Sequence, residues 1–306
     1  MTTPTKATGE ERILAVLAHL AALVHGLGLP LPALLWAEQR KNSRFVAFQT
    51  LQAYAFQSLG YTLWALTMLA LAVFLLLGVT IINAITPIGL EAANGLLFVF
   101  SIGVTGLFMV YNLLAAVAAI ACAFGRDFRF PLLGGRLAKY IAYDPASPDA
   151  PLNRTHEERF AVAMGHFAVI FPFYGLLGPL GLWMTEGKRS AFLRFHSAQT
   201  VAYQTVGSVL YTALHLIPLV LILPFMLAVL SSGAGPAGDW INPVTAVMAL
   251  VGLCMLAVGV MLGPLYHIFG QWAGLQTLLG RDFNYPIFAR LAARWTGAKQ
   301  EDAAQK

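Results

Sequence analysis

Four runs, residues 60–83, 95–124, 205–230 and 244–279, stay apolar without a sustained period and without an interior Asp, Glu, Lys or Arg. Each exceeds the ~18 residues that suggest a membrane-spanning helix, whereas helices in soluble cores rarely remain apolar that long. The approaches to the first and third runs are different. "RFVAFQTLQAYAFQ" (44–57) and "RFHSAQTVAYQ" (194–204) lead into apolar sequence while carrying several amides. At about 100° per residue, Gln49, Gln52 and Gln57 share an arc of about 140°, which Thr50 widens to about 160°. His196, Ser197, Gln199 and Gln204 take the same arc in the second stretch. Hydrocarbon cannot satisfy such groups, so each arc is expected to face other helices or a cytoplasm-facing water pocket. Two readings follow: hydrogen-bonded glue between helices, or a polar groove for a substrate, a peptide or a lipid headgroup.

The two approaches are alike because the chain is an internal duplication. Residues 8–60 align without a gap to 155–207 at a spacing of 147; His19 matches His166, Trp36 matches Trp183, Gln52 matches Gln199 and Gln57 matches Gln204. "GRDFRFP" (125–131) then matches "GRDFNYP" (280–286) at a spacing of 155. A polar, Pro-rich stretch at 144–154 reads as an exposed linker. This sets a first repeat at 1–143 and a second at 155–306.

Each repeat opens on a capping-box pattern, Thr8 to Glu11 and Thr155 to Glu158. The Gly- and Pro-containing stretches "HGLGLPLP" and "FPFYGLLGP" then break the helix, leaving in the first repeat arms near 10–25 and 29–37. Gly125 and Gly280 suit helix C-caps, and "LLGGRLAKYIAY" and "IFARLAARW" read as short amphipathic helices on the membrane surface. Trp36 and Trp183, beside basic loops, read as interfacial anchors.

Composition agrees with a membrane protein: 58% of residues are hydrophobic and 11% charged, against about 25% charged in ordinary domains. The 19 Lys and Arg residues avoid the loops 86–94 and 231–243. If each opening pair of arms is a hairpin, every basic loop lies on one face, as the positive-inside bias requires; a single kinked span would place the two repeats in opposite orientations. The expected fold is therefore an all-α integral membrane protein of two tandem repeats, each a short helical hairpin plus two long transmembrane helices, related by pseudo-two-fold symmetry. Both termini are expected in the cytoplasm, the chain crossing the bacterial inner membrane several times. The first residues lack the layout of a cleaved secretory signal. No basic cluster interleaved with aromatics points to nucleic acid.

Candidate chemistry is sparse. Arg12 with His19, and Arg159 with His166, lie two turns apart on one helix face and are candidate packing interfaces. These histidines, even with His196, do not make a metal set, and no cofactor is expected. His215 and His267 have Met68 and Asn112 as counterparts and are weak candidates. Cys122 and Cys254 sit in apolar runs, where a thiol behaves as a small hydrophobe. Spans without ionisable residues disfavour proton-coupled transport. No nucleophile–base pair or paired carboxylates is placed for catalysis.

The set Glu158, Arg159, His166, Gly178, Pro179, Trp183, Phe195, His196, Gln199, Gly280, Phe283 and Pro286 resembles a bacterial membrane-domain family of unknown function. That family is itself similar to the twenty-kilodalton subunit of the chloroplast inner-envelope protein translocon. The first repeat matches more loosely, with Leu31 before Pro32 and Gln49 in place of the motif's His. The resemblance implies a helical membrane scaffold with a part in protein translocation or membrane-complex assembly; taken with the two arcs, the leading reading is a non-enzymatic component whose candidate polar groove, Gln49, Gln52, Gln57, His196, Gln199 and Gln204, faces the cytoplasm. Its expected partners are the bilayer, other membrane proteins or a translocating polypeptide. A passive channel or a small-solute or lipid transporter is the alternative.

Overall fold

A computed structural model describes residues 7–85, 89–147, 150–232 and 243–297, and every regular element among them is helical. The first arm is α1 (Gly9–Leu20), continued by a 3₁₀ stretch, Ala21–Gly28, and followed by the second arm, α2 (Pro30–Gln39). The direction changes at His25, whose backbone leaves the helical region with φ 53°. The capping box at Thr8 forms in full, Glu11 N–H donating to Thr8 Oγ1 and Thr8 N–H to the Glu11 carboxylate.

Two long helices follow, α3 (Arg44–Ile85) and α4 (Leu90–Ala123), and then the short α5 (Leu133–Tyr140). The second repeat runs through α6 (Arg154–Phe167), α7 (Leu177–Glu186), α8 (Ala191–Ser232), α9 (Pro243–Leu278) and α10 (Phe288–Thr296). The polar approaches 44–57 and 194–204 are thus not separate elements; each is the first third of a 42-residue helix. At ~1.5 Å per residue such a helix is about 63 Å long, twice the ~30 Å hydrocarbon core. Burial divides it: the buried positions of α3 end at Tyr61, and the rest presents apolar side chains outward. The four long helices and the segment Gly9–Gly28 are long and apolar enough to cross a membrane. Of the loops read as free of basic residues, 86–88 and 233–242 lie outside the described residues, and 90–94 already belong to α4.

The inner thirds of α3 and α8 and the arms of both repeats enclose one core. Leu29, Trp36, Phe48 and Leu51 share it with Phe160, Met164, Leu182 and Leu193. Within each repeat the first arm packs on the last long helix, α1 on α4 and α6 on α9, and the second arm on the polar approach. Between repeats α2 packs on α7, where Leu34 touches Gly181, and α3 packs on α6. The repeats differ in packing: α8 and α9 pack together extensively and α10 lies on α8, while α3 touches α4 and α5 far less.

Three expectations are corrected. Asn153, not Thr155, caps α6, its side chain accepting from His156 N at 3.1 Å. The helix starts at Arg154 because Asn153 is pinned through its own N–H to Ile141 O, and Glu158 is engaged elsewhere. Trp36 is not an interfacial anchor: it is fully buried between the repeats, because α2 is covered by the arms of the second repeat. The linker is exposed over most of its described length, but Leu152 inserts into the common core.

Candidate functional site

The two polar arcs meet backbone rather than solvent. After α4 and α9 the chain turns through Gly125 (φ 69°) and Gly280 (φ 82°), the left-handed residues that close a helix C-terminus. It then runs without regular structure past the arcs. In the first repeat Gln52 Nε2 donates to Phe128 O at 2.9 Å, and Phe130 N donates to Gln52 Oε1 at 3.1 Å. In the second, Gln199 Nε2 donates to Phe283 O at 2.8 Å, and Tyr285 N donates to Gln199 Oε1 at 3.3 Å. One amide therefore satisfies both the acceptor and the donor of a buried strip of backbone, as a neighbouring strand would.

The remaining arc residues surround this clamp. Gln49 Nε2 donates to Asp127 Oδ1 and to Phe128 O, both at 3.1 Å, and Gln49 Oε1 lies 3.1 Å from His19 Nε2. Cys122 Sγ also points at that oxygen, at 3.6 Å. His196 Nδ1 accepts from Gln199 at 2.8 Å, and His166 Nδ1 lies 3.1 Å from both Tyr285 Oη and Thr200 Oγ1. Gln204 Nε2 donates to Gly165 O at 2.8 Å. Gln57 and Ser197 are exceptions: both are buried, and neither Gln57 amide atom nor the Ser197 hydroxyl has a hydrogen-bond partner among the described residues.

The arginines beside these histidines take different roles in the two repeats. Arg159 pairs with Asp282 at 2.9 Å and covers the Phe192 ring. Arg12 instead donates to Ala7 O at 2.9 Å and packs by Gly125, while Asp127 is held by Gln49, Tyr143 and Arg129.

Sequence reasoning passed over two features. Ser43 and Ser190 cap α3 and α8, accepting from Val46 N and Leu193 N, and donate to Glu11 and Glu158 at 2.6 and 2.7 Å. Each thereby ties the start of a long helix to the start of a first arm. The signal was present, since Ser43 and Ser190 are a matched pair in the ungapped alignment. The second feature is a buried charge cluster between the repeats. Arg40 meets Glu158 at 2.5 Å and Glu186 at 3.7 Å and covers the Trp36 ring, whose Nε1 donates to Glu157 at 3.4 Å. Burial raises the Glu157 carboxyl to about 7, against the lowering influence of Trp36 and Arg40. The counterpart of Arg40 is Gly187, so the duplication gave no sign of it.

No group of three or more His, Cys, Asp or Glu side chains stands ready to hold a metal among the described residues. The arcs are geometrically suited to holding backbone and packing helices. No curated protein and no solved structure matches the chain. The likeness to a translocon subunit is thus carried by its motif alone. A family match spans both repeats, over residues 10–137 and 157–292. With candidate membrane-spanning helices in each half, the chain is a multi-pass bacterial membrane protein. It belongs to the magnetosome magnetite crystal formation protein family, MamF/MmsF.

Proposed function

We propose that the chain serves magnetite crystal formation as a non-enzymatic scaffold of the magnetosome membrane, one repeat on either side of the 144–154 joint, closed onto each other about a pseudo-two-fold axis. The carrying observation is that most of the recurrent polar side chains, Gln57 and Ser197 apart, are engaged within the protein. Gln52 and Gln199 each hold two backbone groups, and Gln49, His19, His166 and His196 hold neighbouring side chains. A groove that conducts a polypeptide needs such amides free, so the geometry favours glue. The contact of Leu34 with Gly181, its own counterpart, is what an axis passing between α2 and α7 produces. The partners of such a scaffold are the bilayer and other proteins of the same membrane. Its basic loops and both termini face the cytoplasm.

The test is complementation of magnetosome-forming cells that lack the chain. Under the scaffold reading, magnetite crystal size follows the amount of folded protein in the membrane, whichever arc residue is replaced. Normal levels of a folded Gln57→Leu, Gln204→Leu double variant with crystals of the null size would overturn it in favour of a working groove. Orientation is tested separately, in a background lacking Cys122 and Cys254. A cysteine at 236 is expected to react with an impermeant reagent from the non-cytoplasmic side, and cysteines at 41 and 188 are not.

A further inference from the structure

Each repeat carries the same apolar groove, and we propose that the one in the first repeat binds an anionic phospholipid, with an acyl chain in the groove and the phosphate at Arg136. The first groove lies between α3, α4 and the chain entering α5, and encloses about 550 Å³. The second lies between α8, α9 and the chain entering α10, and encloses about 340 Å³. Their walls correspond over the shared part: Phe56, Gly60 and Leu63 with Tyr203, Gly207 and Leu210, and Phe130 and Pro131 with Tyr285 and Pro286, while Phe160 and Leu278 of the second repeat also line the first groove.

The floors correspond as well. In the first repeat Phe56 stacks on Phe130 at 4.1 Å and on Tyr111 at 4.5 Å. In the second Tyr203 stacks on Tyr285 at 4.1 Å and on Tyr266 at 5.2 Å. A glycine admits the tyrosine each time, since a Cβ on Gly60 would lie 3.0 Å from the Tyr111 ring and one on Gly207 2.0 Å from that of Tyr266. A packing accident does not recur with its floor, wall and glycine at two duplicated positions.

Position and shape select the occupant. The first groove lies where α3 passes from its buried third to its outward-facing apolar length, and Leu63 and Leu132 are exposed at its mouth. It therefore opens sideways into hydrocarbon. A helix about 10 Å across would fill such a volume with only about 7 Å of its length, whereas a thin flexible chain can follow it. Charge then sets the headgroup. Arg136, exposed on the amphipathic α5, stands at the rim, and no acidic side chain lines the groove. The counterpart of Arg136 is Leu291, and no Lys or Arg lines the second groove, where His215 donates to the Tyr211 carbonyl within its own helix. Preference for an anionic headgroup is accordingly confined to the first. The inference rests on the chain's lying in a bilayer, and stands or falls independently of crystal formation.

The test uses the delipidated full-length chain in detergent, titrated with phosphatidylglycerol or phosphatidylethanolamine and followed by native mass spectrometry. The wild type is expected to retain phosphatidylglycerol preferentially. Arg136→Gln should weaken phosphatidylglycerol about fivefold, the scale of one basic residue at an anionic surface, and leave phosphatidylethanolamine unchanged. Arg126→Gln, an exposed charge outside the groove, should change neither. Leu114→Trp, or Leu63→Trp should the first fail to fold, should reduce retention of both lipids while the unfolding midpoint stays near wild type. Equal retention by wild type and Arg136→Gln, or an equal loss in Arg126→Gln, would overturn the headgroup assignment. Undiminished retention by a folded tryptophan variant would overturn the acyl-chain assignment. Competition by inorganic phosphate at millimolar concentration would replace the lipid with a soluble anion.

Discussion

At the scale of single residues, the glutamines of one arc differ in what their removal leaves behind. Gln52→Leu strands the Phe130 N–H while the Phe128 carbonyl keeps its bond from Gln49, and Gln199→Leu strands both the Tyr285 N–H and the Phe283 carbonyl. An unpaired buried donor or acceptor costs ~1–3 kcal/mol, more than the net gain from a hydrogen bond once formed. Each variant is therefore expected to lose stability on that scale, read as the thermal unfolding midpoint in detergent. Gln57→Leu strands nothing that the protein currently satisfies, because both atoms of that amide lack partners among the described residues. Replacing it by a similar apolar volume should be neutral or stabilising. A Gln57→Leu protein as unstable as Gln52→Leu would mean that Gln57 holds an internal water or another group essential to the fold. The arc was legible in the sequence as a set of amides on one face. Which of them carry the fold was not, since that depends on a strip of backbone 76 to 86 residues away.

At the scale of elements, the long helices could be read because their length and lack of charge leave few alternatives. Their packing could not, because uniformly apolar spans give no face a signature. Small residues decide it: Gly252 and Gly259 of α9 lie against α8, where a Cβ on Gly259 would meet the Leu214 Cβ and O, both at 3.1 Å. Gly103 and Gly106 of α4 have no neighbour within 4 Å of where a Cβ would stand. Between lipid-facing helices such close approach, rather than hydrophobic burial, supplies much of the attraction. Gly259→Leu is thus expected to lower stability by ~1–3 kcal/mol, the usual penalty for overpacking, and Gly106→Leu to leave the unfolding midpoint unchanged. Similar losses in both would show that α3 and α4 close together as tightly as α8 and α9. Helix starts failed for a local reason. The pattern Thr155 to Glu158 fits a capping box as well as Thr8 to Glu11, but Asn153 two residues upstream takes the cap and Arg40 takes the glutamate.

At the scale of the whole molecule, the duplication was the plainest feature of the sequence, yet the contacts that join the repeats break its symmetry. Arg40, Trp36, Glu157 and Glu186 are drawn from both repeats and buried together, with Glu158 half-buried at their edge. A buried charge that loses its partner typically costs ~3–5 kcal/mol. Arg40→Met is accordingly expected to loosen the repeats strongly. This can be read after cutting the folded protein at a protease site between residues 147 and 150: wild-type halves should copurify, and Arg40→Met halves should separate. The same cluster gives the junction a dependence on pH. Burial raises the Glu157 carboxyl from an ordinary 4.5 to about 7, so between those values the joined state holds a proton that the unfolded chain releases. Stability must then fall as pH rises through that window and level off above it. The cut protein should hold together better at pH 5 than at pH 7.5, and Glu157→Gln, which keeps an acceptor for the Trp36 N–H without the charge, should flatten the profile. A profile that persists in Glu157→Gln would assign the dependence to another group, and one rising from pH 5 to 7.5 would show that Arg40 holds Glu157 ionised in the folded protein.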